Sequence, residues 1–153
     1  MYENANIETI ARGVLVKDGH LLVCQPAGGG RCYLPGGHIE FRETARQALV
    51  REIREELGRE AVAGEFLAVA ENAFVQKGEA HCEINLVFRL EIPALAAPPE
   101  APEAAEAWIA FRWIPFEAEA MREAKLLPAH LVEDLPKWLA APGAHAEDYP
   151  AQG

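Results

Sequence analysis

The run Arg51-Glu52-Ile53-Arg54-Glu55-Glu56 crowds three carboxylates into a short stretch of chain. On a helix advancing about 100° per residue, with Leu49 at zero, Ile53 falls at about 40°, Glu56 at about −20°, Glu52 at about −60° and Glu55 at about −120°. Glu56 therefore lies inside an apolar arc, Glu52 at its border, and Glu55 beside Glu52. Like charges at i,i+4 destabilise a helix by roughly 0.2–0.5 kcal/mol per pair. Partial burial adds a larger desolvation penalty unless each charge is paired. Two arrangements relieve it: Arg51 and Arg54 can form ion pairs with the acids, or a divalent cation can sit among the oxygens. Mg²⁺ suits such a set, because it binds through a few carboxylates and keeps waters for the rest of its shell. Taken alone, the helix favours ion pairs, since charged runs are common on solvated faces.

The elements that must hold these residues can be read from the chain. Thr44 followed by Gln47 fits a capping box. Ala45, Leu49, Ile53 and Leu57 recur every fourth position as a buried stripe, and Gly58 is placed to end the helix, so the spacing predicts a helix over residues 44–57. Ahead of it, residues 7–16 and 21–24 read as a hairpin closed at Asp18-Gly19. A glycine-rich loop follows at 26–30, then a short strand at 31–35 stopped by Pro35-Gly36-Gly37. Beyond the helix, 61–75 and 82–92 read as strands joined by a polar turn, and 93–107, rich in Pro, Ala and Glu, reads as a mobile loop. A strand at 110–114 and helices at 116–125 and 128–139 complete the pattern, with Leu126, Leu127, Leu131, Leu135 and Trp138 available for packing. One domain over 1–140 and a frayed tail over 141–153 are expected.

Half of the 153 residues are hydrophobic, enough for a sizeable core, and the net charge is −10. That charge argues against a nucleic-acid polymer or an anionic membrane as partner. An anionic ligand would need positive charge supplied locally, as a divalent cation supplies it. No stretch approaches the length of a bilayer span, and the N-terminus lacks the layout of a secretory signal, so a cytoplasmic location is expected. Cys24, Cys32 and Cys82 read as reduced thiols. A zinc site from Cys24, Cys32 and a histidine matches no ligand spacing.

In front of the helix the residues extend the pattern. Gly37, Glu43, Arg51-Glu52, Ile53, Glu55-Glu56 and Gly58 follow G-x5-E-x7-R-E-U-x-E-E-x-G-U, in which U is bulky and aliphatic. The chain thus resembles the Nudix family through its signature box. It departs in two places: Arg59 stands where the last aliphatic residue is expected, and Arg42 where many members have glycine.

The resemblance implies an α/β/α sandwich around a mixed sheet and a Mg²⁺-dependent pyrophosphohydrolase, with Mn²⁺ as a substitute ion. It implies that Glu52, Glu55 and Glu56, with the Gly37 carbonyl, are metal ligands, that Glu52 or Glu56 helps deprotonate water, and that Arg51 orients the glutamates. Glu43 is expected to salt-bridge or hydrogen-bond within the loop–helix unit, with direct metal ligation as the alternative, and Glu40 to bind a second metal or lie solvated. A general base outside the box has candidates in Glu79, Glu83, Glu100, Glu103 and Glu106, each of which also reads as a surface charge. Arg12, Arg31 or Arg46 could meet phosphates and Tyr33 or Phe74 could stack on a base, though each also reads as core or surface. The expected substrate is a small nucleoside diphosphate derivative, ADP-ribose-like ahead of a nucleoside triphosphate, and a homodimer is common in such proteins. Two other readings stay open: a nucleotide-binding domain without turnover, and an isomerase of isoprenoid diphosphates, which would carry catalytic Cys and Glu residues outside the box.

Overall fold

A computed structural model describes residues 6–143 and 145–149. The strands are β1 (Ile7–Val14), β2 (Val16–Lys17), β3 (His20–Pro26), β4 (Gly36–His38), β5 (Val62–Gln76), β6 (Glu79–Glu91), β7 (Ile109–Pro115) and β8 (His145–Tyr149). The helices are α1 (Ala45–Leu57), α2 (Ala118–Glu123) and α3 (Leu131–Ala140). A mixed five-stranded sheet runs β4-β1-β6-β5-β8, with β1 parallel to β6, and β2-β3-β7 form a smaller antiparallel sheet.

Side chains alternate across each strand, so two cores form on opposite faces. One gathers Leu21, Val23, Val87 and Ala68 under Met121, Leu135 and Trp138 of α2 and α3. The other gathers Ala11, Leu22, Phe88 and Phe111 under Ala48, Leu49, Ile53 and Leu57 of α1. Helices thus cover both sides of a mixed sheet, which is the expected α/β/α arrangement. Among the described residues no helix is long and apolar enough to cross a membrane.

Several elements depart from the sequence reading. Residues 7–16 are not one strand: the chain breaks at Leu15, and only Val16–Lys17 enters the hairpin with β3. Asp18 and Gly19 take φ 49° and 72°, the double left-handed turn that matches strand twist. β1 goes instead into the large sheet, where it carries the site. The strand expected at 31–35 is reduced to isolated bridges at Cys32 and Tyr33, and the strand proper starts at Gly36. Residues 93–107 form no regular element, as expected. Residues 145–149 form β8 on the edge of β5, where a frayed tail was expected; the rest of that tail beyond 149 lies outside the described residues.

Candidate functional site

Helix α1 is positioned at both ends by its own sequence. Thr44 Oγ1 accepts from the Gln47 backbone N–H while Gln47 Oε1 accepts from the Thr44 N–H, and Gly58 closes the helix in the left-handed region with its N–H on the Arg54 carbonyl. The buried arc is wider than the predicted stripe. Ala48 is fully buried, and Glu56 is only 5% exposed. That flank faces β4 and β1.

The two glycines of β4 make the approach possible. Gly36 has φ 143°, and a Cβ there would fall 1.9 Å from the Ala11 carbonyl oxygen. A Cβ on Gly37 would fall 2.5 Å from Glu52 Cδ and 2.6 Å from its Oε1. The Glu52 carboxylate therefore lies in a cradle that only glycine leaves open. The preceding loop keeps a glycine-like backbone despite its departure from the box: Arg42 has φ 70°.

Arg51 organises the acids. Its Nε and Nη2 donate to Glu43 Oε2 and Oε1 at 2.7 and 2.9 Å, a two-pronged pairing, and Nη2 also reaches the His38 carbonyl at 3.0 Å. Nη1 donates to Glu52 Oε1 at 3.0 Å and to Glu55 Oε2 at 3.3 Å. The Glu43 carboxyl is held below its usual range by Arg51, and the guanidinium is pushed further up, by Glu43 first. Glu40 stands at the margin, 3.8 Å from Arg51 Nη1. Arg54 turns away and binds Glu60 at 2.9 Å through both oxygens. One of the two arginines expected to neutralise the cluster does so.

Glu56 is outside Arg51's reach. Burial, followed by the charge and hydrogen bond of Glu52, pushes its carboxyl from 4.5 to about 8, against a smaller opposing pull from Arg12. With its pKa at about 8, Glu56 keeps its proton at neutral pH, next to Glu52. Among the described residues Glu56 Oε2 is buried with no hydrogen-bond partner. A buried carboxyl beside Glu52, with one oxygen unpaired among the described residues, has the hard-oxygen character that a divalent cation satisfies. Gly37 brings its backbone alongside. Among the described residues no three acidic, His or Cys side chains converge as a ready cage; Glu52 and Glu55 both lean on Arg51, with Glu55 51% exposed.

The structure sorts the outlying candidates. Glu106 comes close enough for its charge to raise the Glu56 pKa further, and it accepts a hydrogen bond from Trp108 Nε1. Its loop is pinned to α1 by the Ala105 N–H on the Glu56 carbonyl, 2.7 Å. Glu79, Glu100 and Glu103 are exposed. Glu83 lies on β6 between two asparagines. Arg12 donates to the Leu34 carbonyl beside Glu56. Arg31 is exposed on the loop after β3. Arg46 is engaged with the Gly64 carbonyl and over the Phe88 ring, on the other flank of α1. Tyr33 packs against the core under α1, and Phe74 stacks on His81. The Cys24 thiol is pushed up to about 12 by burial, and among the described residues no group of three His, Cys, Asp or Glu side chains that could hold a metal forms around it. The asparagine pair around Glu83 escaped the sequence reading: Asn85 lies two residues along the same strand, and Asn72, 11 residues away, meets Glu83 only through the hairpin.

Comparison with known proteins agrees with this geometry. The family model described as the NUDIX domain matches residues 8–135. The CTP pyrophosphohydrolase of Escherichia coli (strain K12) is 47% identical over 66 residues, 40% of this chain and 48% of that protein, so the match spans about half of that relative's length. The solution structure of the E. coli ORF135 protein superimposes with TM-score 0.62 and 27% identity, covering 92% of this chain and 96% of that one. Two more distant structures share the fold: the MutT protein of Methanosarcina mazei Go1, with TM-score 0.67, 17% identity and coverage of 90% and 96%, and an ADP-ribose pyrophosphatase of Streptococcus suis 89-1591, with TM-score 0.56, 18% identity and coverage of 93% and 98%. With the box, the helix caps and the glycine cradle all in register, the match over most of its length establishes that this chain belongs to the Nudix family.

Proposed function

We propose that the protein hydrolyses the diphosphate of a small nucleotide with the help of Mg²⁺, for which Mn²⁺ can substitute. Glu52, Glu55, Glu56 and the Gly37 carbonyl would hold the ion. When bound, it supplies the positive charge that neutralises diphosphate oxygens and makes a water easier to deprotonate. The remaining chemistry belongs to the chain. Arg51 fixes the Glu52 and Glu55 carboxylates through one rigid guanidinium, itself anchored on Glu43 and the His38 carbonyl. Gly36 and Gly37 let the β4 backbone approach the carboxylates. Glu52 or Glu56 takes the proton from water, and Glu106, brought near by the pinned loop, is the candidate base outside the box.

The observation that carries this reading is Glu56: a carboxyl 5% exposed, protonated at neutral pH beside Glu52 and reached by no arginine hydrogen bond or ion pair among the described residues. A chain that only had to fold would place leucine there. The substrate is an ADP-ribose-type diphosphate or a nucleoside triphosphate; similarity to a CTP pyrophosphohydrolase supports the second as much as the sequence reading supports the first. The test is a panel of ADP-ribose, NADH, nucleoside triphosphates and dinucleoside polyphosphates with Mg²⁺, products separated by chromatography. Cleavage within a diphosphate that stops on chelation is expected. No cleavage of any compound would instead favour a binding domain without turnover.

A further inference from the structure

The face of the large sheet that carries Arg12 packs into the core beneath α2 and α3 at its inner rows and opens only toward its outer end, which the hydrolytic chemistry does not use. Strand register arranges it in rows. Arg12, whose charge acts on Glu56, forms the innermost row with Val87 and Ala68; Ile10, Asn85 and Ala70 form the next; Glu8, Glu83 and Asn72 follow, and His81 with Phe74 completes it. Rows two residues apart are separated by about 6.6 Å, so the Glu83 row lies about 13 Å along the strands from Arg12. That is within reach of a nucleotide whose phosphates sit at the glutamates.

The polar groups on these rows hold each other loosely. Asn85 is 7% exposed, yet its Nδ2 donates only at 3.3 Å to Glu83 Oε2 and at 3.5 Å to the Ala70 carbonyl. Asn72 Nδ2 reaches the same Glu83 oxygen at 3.5 Å. These distances are at the outer limit of hydrogen bonding, and buried polar groups ordinarily find better partners. Both amides fall on Oε2, so Oε1 and the two amide oxygens take part in neither bond. No ion pair to Glu83 forms among the described residues. At the outer end Phe74 and His81 stack at 4.9 Å with their planes 8° apart, a flat aromatic step.

A carboxylate acceptor flanked by amide donors complements a base edge that carries an exocyclic amine beside a ring-nitrogen acceptor. Cytosine and adenine present that edge. Uracil and hypoxanthine present a carbonyl and an N–H in its place, which would set oxygen against the Glu83 carboxylate. We propose that Asn72, Glu83 and Asn85 form a base-reading subsite that selects nucleotides with an amino-bearing base, at the outer end of the sheet face that begins at Arg12. The inference rests on the glutamates being the diphosphate site.

The test measures binding apart from hydrolysis. Calorimetric titration of CMP, UMP, AMP and IMP into the wild type, Glu83→Gln and Asn72→Ala compares pairs that differ only at the amine-to-carbonyl exchange. The wild type prefers CMP over UMP and AMP over IMP by about tenfold or more. Glu83→Gln, nearly isosteric, brings both ratios close to one, and Asn72→Ala weakens CMP and AMP selectively if the first variant fails to fold. Equal affinities within each pair, no binding of any of the four, or ratios unchanged in both variants would overturn the subsite. Amine-selective binding with no diphosphate cleaved leaves the subsite standing and sinks the hydrolase instead; cleavage without selectivity does the reverse.

Discussion

Replacing Glu56 by Gln removes a charge while keeping the shape of the side chain, and its consequences can be worked from the site. Glu56 holds its proton more tightly folded than unfolded, with a pKa moved from 4.5 to about 8. Between those values the unfolded chain has lost the proton that the folded chain keeps, so the metal-free protein loses stability as pH rises through that window and levels off above it. The group's favourable state is complete below the unfolded value and gone above the folded one. The rise corresponds to roughly 4 kcal/mol at pH 8 or above. At roughly 2–4 °C per kcal/mol for a domain of this size, that is a melting shift of about 10 °C. Glu56→Gln in EDTA should therefore melt well above the wild type at pH 8.5 and close to it at pH 4.5. Adding Mg²⁺ at pH 8.5 should raise the wild type by mass action and the variant far less, while the variant loses turnover. The assay is a set of thermal melts across pH, with EDTA or Mg²⁺. Parallel pH profiles in EDTA, or a wild type more stable than the variant at pH 8.5 without metal, would refute the reasoning.

The glycine pair separates two effects. Gly37→Ala pushes its Cβ only against the flexible end of Glu52, so the fold should survive while activity falls about 100-fold from a displaced carboxylate; Gly36→Ala meets the Ala11 backbone at 1.9 Å and should fail in expression or melting. Arg51→Lys cannot reproduce contacts to Glu43, Glu52, Glu55 and the His38 carbonyl at once, and metal affinity, read by titration, should fall about 10- to 100-fold. Arg42→Gly relieves a side chain held at φ 70° and should raise the melting temperature by a few degrees, from a strain of about 1–2 kcal/mol less the extra chain entropy that glycine loses; an unchanged or lower value would show that the loop carries no such strain.

What was legible in the sequence was what local rules decide. Helix α1 has its capping box, its periodic stripe and its terminal glycine within one short stretch, and the wheel already placed Glu56 among apolar neighbours. What was not legible depended on partners far along the chain. Gly36–His38 has no strand propensity of its own and is extended because it pairs with β1. Residues 7–16 read as one strand, but the break at Leu15 follows from the two sheets diverging, which no local pattern records. The pairing of β8 with β5 likewise comes from an open sheet edge rather than from the composition of residues 145–149. Within the site, the choice between Arg51 and Arg54 needed the loop that supplies Glu43 and the His38 carbonyl.

The central claim is that a divalent cation takes the place of the proton that Glu56 holds beside Glu52. Titrating Mn²⁺ into the protein at pH 7 by calorimetry, in buffers of different ionisation enthalpy, counts protons released on binding. The account predicts saturable binding with about one proton released by the wild type and neither in Glu56→Gln. Binding without proton release, or the same titration from both proteins, would contradict it.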